Sequence, residues 1–317
     1  MMDIVIVSLF DGLSGGRLAT DRVEHINVLR YYSSEVDKYA IQVANKNYPQ
    51  DAQYRLGDVT KIDFEALLKE IRSEFGNVKV MLLGGSPCQG FSMAGKLKGS
   101  STACGIDVVE YEQYMDLKEK EFEFNGQSYL FWEYVRAMKI LKPDYFLLEN
   151  VRVTKKWLPM FNKAMGVDCV LFNSNLVSAQ DRPRYYWSNI EYTLPEDKGI
   201  EFASILEDIP IEQPLAPYMT QEFDGVSRLR KGIFNFTERS KGVAQTAGIG
   251  HGCKYVIKGS PDNAIAQRRM TPIEQERSQT IPDNYTEGVT RGRREHMIGN
   301  GWTIDVVAHI LRFIKDK

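Results

Sequence analysis

The chain has 317 residues, 40 Lys and Arg against 42 Asp and Glu, a formal charge of −2, and 43% apolar residues. That length holds one large α/β domain plus a smaller one, and the charge balance alone announces no nucleic-acid partner. No apolar run approaches the roughly 20 residues that span a bilayer, and the start, Met1 to Phe10, lacks the basic segment and cleavage site of a signal peptide.

Taken in order, Ile4–Leu9 reads as a strand, followed by a tight glycine turn, Gly12-Leu13-Ser14-Gly15-Gly16, that opens a helix. Ile26–Ser33 is a second strand ending at Ser34-Glu35. Lys38–Asn47 reads as a helix closed by Tyr48-Pro49. A short strand is expected near Tyr54–Leu56, stopping at Gly57-Asp58-Val59. Phe64–Phe75 repeats apolar residues at helical spacing.

The run Val78–Leu83 then ends in Gly84-Gly85-Ser86-Pro87-Cys88-Gln89, which delivers one thiol to the mouth of a sheet. A helix from about Tyr129 to Leu141 precedes the strand Tyr145–Val151, which carries Glu149 at its carboxyl end. A helix near Trp157–Met165 leads to Cys169–Asn173 and Tyr185–Asn189, read as a hairpin. This alternation is the rhythm of a doubly wound, mostly parallel α/β sheet. In such sheets ligands bind outside the carboxyl ends of the strands. A thiol and an acid delivered to one edge read as a nucleophile and its acid partner.

From about Glu201 the texture changes. Pro210, Pro214 and Pro217 punctuate a linker, and 218–265 is glycine-rich, basic and weakly periodic. Helical signals return at Thr271-Pro272-Ile273-Glu274, a capping box with proline at the first helical position. Thr303–Ile314 is an apolar helix that returns to the sheet. The expected division is 1–209, 210–266 and 267–317. Cys88, Cys104, Cys169 and Cys253 stand far apart with no CxxC pair. That argues for free thiols in a reducing cytosol and against a zinc site.

Charge is unevenly spread. From Asp107 to Glu123 the acids Asp107, Glu110, Glu112, Asp116, Glu119, Glu121 and Glu123 face only Lys118 and Lys120. From Val226 to Gly259 the bases Arg228, Arg230, Lys231, Arg239, Lys241, Lys254 and Lys258 face only Glu238, with Phe234, Phe236 and Tyr255 interleaved. The second segment reads either as a phosphate-tracking surface or as a solvated lysine-rich face.

In linear order these motifs resemble those of the cytosine-5 DNA methyltransferases. Phe10–Gly16 is similar to their cofactor loop, Ser34-Glu35-Val36 to the ribose contact, and Gly57-Asp58-Val59 to the adenine contact. Ser86-Pro87-Cys88-Gln89 resembles the nucleophile motif and Glu149-Asn150-Val151 the catalytic acid motif. Gln180-Asp181-Arg182-Pro183-Arg184 resembles the QxRxR motif. Arg269–Glu274 resembles the motif that supports the recognition domain, and Gly299-Asn300-Gly301-Trp302 the last motif. The cofactor loop departs from the family pattern at Asp11 and by one extra residue, and the stretch from Cys88 to Ser128 is longer than usual.

The resemblance implies a class I, Rossmann-like methyltransferase fold with a small irregular recognition domain at 210–266. It implies S-adenosylmethionine as donor, double-stranded DNA as substrate, no metal, and a monomer as the simplest state. Its catalytic residues would be Cys88, Glu149, Arg182 and Arg184, with Arg182 organising the site. Phe10, Gly12, Gly15, Glu35, Val36, Asp58, Val59, Pro87, Asn300 and Trp302 would line the cofactor. Gln89, Ser92, Lys96, Lys98, Arg228, Arg230, Arg239 and Lys241 would meet DNA. The acidic block would point away from the duplex. An RNA-modifying relative and a non-catalytic DNA-binding relative are the other readings. The location implied is the cytoplasm of a bacterial or phage-infected cell, at the nucleoid, or the nucleus in a eukaryote.

Overall fold

The computed structural model describes residues 1–315 except 88–90, 92–99, 224–225, 230–233, 248–251 and 261, with backbone alone at 218, 220–223, 226–229 and 252. In chain order the elements begin β1 (Met2–Leu9), α1 (Gly15–Thr20), β2 (Ile26–Ser34), α2 (Lys38–Asn47), α3 (Phe64–Phe75), β3 (Lys79–Gly84), α4 (Tyr111–Glu119), α5 (Leu130–Leu141), β4 (Tyr145–Asn150) and α6 (Leu158–Met165). They continue with β5 (Val170–Asn173), β6 (Gln180–Asp181), β7 (Pro183–Ser188), β8 (Thr220–Phe223), β9 (Val226–Leu229), β10 (Asn235–Phe236), β11 (Gly242–Val243), β12 (Tyr255–Lys258), β13 (Ala266–Arg269), α7 (Pro272–Ser278), α8 (Arg291–Asn300) and α9 (Ile304–Leu311).

One six-stranded sheet, in the order β2-β1-β3-β4-β7-β5, organises the chain. β2, β1, β3 and β4 run parallel, and β7 lies antiparallel to both its neighbours. Side chains alternate across the pleat. Ile4, Ile6, Met81, Leu83 and Leu147 enter one core with residues of α1, α2, α8 and α9. Val5, Val7, Leu9, Val80, Leu82 and Leu148 enter the other with residues of α3, α4, α5 and α6. Both faces of β1 are therefore dry, which explains its near-continuous apolar run. Strand order reverses between β1 and β3, the place where such sheets open a ligand crevice.

The helix starts follow local chemistry. Asp37 accepts from the Tyr39 amide and Asp63 from the Ala66 amide. The capping box at α7 forms as the sequence predicts. The strand expected at Tyr54–Leu56 does not form. Pro49–Tyr54 is instead a 3₁₀ turn, and Arg55 makes only a single bridge to Ser33. Proline at the first position favours the turn. The sequence does not announce α4 and α8; both are short and rich in charge.

The acidic segment folds as a small lobe on α5. Ser101 bridges Asp107 and Thr102 bridges Phe124. Buried Glu133 of α5 receives Tyr114, Lys118 at 2.5 Å and Arg136 at 2.6 Å. The exposed acids Glu110 and Glu112 pair with Lys163 of α6 and Lys139 of α5, so this part of the block lies over the α5–α6 layer.

Beyond β7, β10, β12 and β13 form a small sheet and β8 pairs with β9. Met219, Phe234, Phe236 and Ile257 make a core of their own beneath it. β13 runs across the expected boundary at 266. β11 pairs with β6, joining this region directly to Gln180-Asp181. No helix among the described residues is long and apolar enough to cross a membrane.

Candidate active site

The loops after β1 and β2 are laced together at the sheet's carboxyl edge. Phe10 takes φ 58° and Gly12 φ 57°. The Gly12 amide donates to Glu35 Oε2 at 2.8 Å, and the Val36 and Asp37 amides donate to Glu35 Oε1 at 2.7 and 2.8 Å. Beneath them Asp11 is buried. It accepts from Tyr31 Oη at 2.5 Å and Ser14 Oγ at 2.7 Å, with Arg55 3.8 Å away. Burial pushes its carboxyl above the ordinary range, and Tyr31, Ser14 and Arg55 draw it only partly back.

The same edge holds the other expected cofactor residues in unlike settings. Val36 is 70% exposed and Phe10 half-buried. Asp58 accepts from the Thr60 amide at 3.0 Å and the Thr60 hydroxyl at 2.9 Å. Open space lies where a Cβ would sit on Gly12 or Gly57. Two of the expected positions pack into the fold. The Val59 side chain is buried in the α3–α5 core and its carbonyl is held by Arg136, because the chain turns inward there to start α3. Gly15 packs under Ile304 of α9, where a Cβ would lie 3.4 Å from the Ile304 methyl. Asn300 is exposed at the end of α8, with its amide 3.1 Å from His296.

β4 supplies the acid. Glu149 Oε1 lies 3.2 Å from Arg184 Nε, which β7 delivers alongside. Burial pushes the Glu149 carboxyl above its ordinary value, opposed by Arg184, Arg182 and a hydrogen bond from Trp302. A Cβ on Gly85 would stand 2.8 Å from Trp302 Nε1 and 3.3 Å from Glu149 Oε2. Only glycine leaves room for the indole and the carboxyl to meet there. The second glycine of the pair Gly84-Gly85 is the signal for this role, and the sequence pattern alone reads it merely as the end of a strand.

Asn150 is buried and donates to Ser86 Oγ at 3.1 Å and to the Ser86 carbonyl at 3.3 Å. The acid strand therefore holds the segment Ser86-Pro87 that leads into the thiol. On the far side Phe91 is fully buried edge-on against Trp157 and Phe161. Cys88, Gln89, Ser92, Lys96 and Lys98 lie outside the described residues, as does Arg230, and of Arg228 only the backbone in β9 is described.

Arg182 does not approach Glu149 as Arg184 does. Its guanidinium donates to the carbonyls of Gln245 at 2.6 Å, Gly299 at 3.1 Å and Gly301 at 3.0 Å. It thus clips 210–266 to the turn that carries Trp302. A Cβ on Gly299 would fall inside the Thr246–Ala247 peptide, so the two backbones touch at this point. Lys254, Arg269 and Arg291 converge on buried Glu295 of α8 at 3.2, 2.7 and 2.9 Å. Burial works to raise that carboxyl, but the three cations hold it below its ordinary value. Glu295 does not stand out in the sequence because Lys254 and Arg269 are distant along the chain.

Two cations expected at DNA separate. Arg239 is exposed. Lys241 is bound within the fold: its ammonium donates to the carbonyls of Asn175 at 2.6 Å and Ser178 at 3.2 Å, and to Asp197 at 3.2 Å. The adjoining β11–β6 pairing draws it against those carbonyls.

The model of the C-5 cytosine-specific DNA methylase family matches residues 4–157 and 174–316. The type II methyltransferase M.SsoII of Shigella sonnei is 24% identical over 333 residues, spanning 95% of this chain and 77% of its own length. M1.ScrFI of Lactococcus lactis subsp. cremoris is 25% identical over 337 residues, spanning 95% and 75%. Among solved structures, the Entamoeba histolytica methyltransferase EhMeth superposes with a TM-score of 0.67 at 18% identity, covering 99% of this chain and 98% of that one. The S. pombe Dnmt2 methyltransferase gives 0.60 at 15% identity, covering 97% and 96%. These two superpositions bear on the fold, which is the Rossmann-like fold of class I methyltransferases. With the family matched over nearly its whole length, the chain belongs to the C-5 cytosine-specific DNA methylases, and its activity is methyl transfer to carbon 5 of cytosine in DNA.

Proposed function

We propose that the edge formed by the loops after β1 and β2 holds S-adenosylmethionine, and that the edge formed by β3, β4 and β7 holds a cytosine flipped out of the duplex. The donor set fits the first group. Glu35 offers a carboxylate at the end of β2 for ribose hydroxyls, Asp58 a polar group for the adenine edge, and Phe10 and exposed Val36 an apolar wall, with open space above Gly12 and Gly57. When bound, S-adenosylmethionine would supply an electrophilic methyl group.

The remaining chemistry belongs to the chain. Carbon 5 of cytosine is too weak a nucleophile unaided. Addition of the Cys88 thiolate to carbon 6, with a proton given by Glu149 to N3, makes an enamine whose carbon 5 takes the methyl. Loss of the carbon 5 proton to water then expels the thiolate, and N3 returns its proton to Glu149, which restores the ring. Glu149 suits its task because burial favours the protonated carboxyl. Arg184 orients that carboxyl and meets the O2 of the base. Arg182 acts at one remove, through backbone carbonyls. Residues 210–266 serve as the recognition domain, and flipping the base costs a few kcal/mol.

The observation that carries this reading is the buried Glu149 lying between Arg184 and Trp302. A duplex carrying 5-fluorocytosine tests it. Fluorine replaces the proton that must leave, so the covalent adduct accumulates. A stable complex on denaturing gels with the parent, and none with Cys88→Ala, is expected. A parent that methylates DNA but traps no adduct would overturn covalent catalysis.

A further inference from the structure

We propose that Arg152, Lys155 and Lys156 form a phosphate-binding ridge that grips the substrate duplex beside the catalytic acid. The segment 151–157 follows Glu149-Asn150 directly and joins β4 to α6. Val153 and Trp157 turn inward and are 5% and 3% exposed, while Arg152, Lys155 and Lys156 all face solvent. With the apolar residues at 153 and 157 turned to the core, the cations lie on the outer side of the segment.

The segment is firmly held. The Thr154 amide donates to the Phe91 carbonyl at 3.2 Å, and the Trp157 and Leu158 amides donate to the Thr154 carbonyl at 3.0 and 3.1 Å. Lys156 rests 4.5 Å over the Trp157 ring. The three cations thus sit on a rigid support tied to buried Phe91, a near neighbour of the thiol in the chain. A preorganised charge loses less side-chain freedom on binding than one on a loose loop.

Their electrostatic setting is unlike that of nearby cations. Lys139 and Lys163, on the flanking helices, are matched by Glu112 and Glu110. Lys118 is matched by Glu133. Arg152, Lys155 and Lys156 form no ion pair with a described carboxylate. Three like charges within five residues repel one another unless an anion lies across them. The substrate of this enzyme is a polyanion, and on the reading proposed above, on which this inference rests, its target base reaches Glu149, next to this run. Phosphates flanking that base are the anions in range, and the contacts would carry no sequence information.

The test is the salt dependence of duplex binding by the full chain. Removing one phosphate-binding cation should reduce the slope of log K against log salt by about 0.9. The variant Arg152→Ala/Lys155→Ala/Lys156→Ala should therefore show a slope shallower by about 2 to 3. Its KM for DNA should rise at least tenfold, far more than kcat falls, with the methylated sequence unchanged. Exposed positions predict an unaltered melting temperature. The exchange Arg152→Lys/Lys155→Arg/Lys156→Arg should restore the parent slope, which repair of a packing defect would not do. A triple alanine variant that melts like the parent and binds DNA with the parent's slope would overturn the ridge.

Discussion

The ends of β2 and β4 present the same residue type in the same place, a glutamate at the carboxyl edge of a parallel strand, yet they make opposite uses of it. Glu35 is half-buried, and its oxygens accept from the amides of Gly12, Val36 and Asp37. Backbone N–H groups are pure donors, and they turn the carboxyl into an acceptor that braces two loops. Glu149 meets no such amides among the described residues. It is buried beside Arg184 and Trp302, and burial outweighs both, so the proton stays on more readily. Position in the sheet brings a carboxyl to the crevice; the donors around it decide whether it holds a ligand's hydroxyls or carries a proton.

The sharpest way to break that contrast is to remove each charge while keeping the shape. Glu149→Gln should lower kcat by about 10²–10⁴, the usual worth of a positioned proton donor, while DNA affinity is largely kept. Glu35→Gln should instead raise the KM for S-adenosylmethionine by about 10–100-fold, the worth of charge-assisted hydrogen bonds, with a smaller loss of kcat. Steady-state kinetics with each substrate varied separates the two. If both variants lose the same parameter, the two carboxyls do not divide the work as described.

Much of this division is legible in the sequence, and where it is not the reason is physical. β1, α2, α3 and the capping box at α7 follow from apolar period and cap chemistry, both local properties. Glu149 and Arg184 stand out because their motifs are contiguous. Gly85 does not, because its constraint comes from Trp302, more than 200 residues later. Arg182 and Lys241 look alike in sequence to residues that touch substrate. Only the fold puts backbone carbonyls around them. Glu110 and Glu112 of the acidic run resolve the same way, since Lys163 and Lys139 come from elements the run itself does not reveal.

A finer test turns on the cations beside Glu149. With the protonated carboxyl as the working form, the rate should fall as pH rises through its raised value. Arg184 favours the carboxylate and so holds that value down. Arg184→Gln should lower the maximal rate and move the alkaline fall of single-turnover methyl transfer to higher pH. A fall that stays in place, or moves to lower pH, would mean that another group sets it.

The smallest effect expected is on stability, at Asp11 beneath the cofactor loop. Its folded value lies above the ordinary aspartate value of 3.8, chiefly through burial. The folded state therefore holds this proton more tightly than the unfolded chain. The stabilisation is complete below the unfolded value and is lost as pH rises through the folded one. Asp11→Asn removes that dependence. It also places an amide where Tyr31 and Ser14 both donate, so one hydroxyl loses its acceptor, at a cost of about 1–3 kcal/mol. The melting temperature of the variant should lie below the parent's, and the gap should narrow as pH rises from the acid side. A gap that widens toward higher pH would mean that the ionised carboxylate, gripped by Tyr31, Ser14 and Arg55, is the form the fold prefers, and Asp11 would then belong with Glu35 rather than with Glu149.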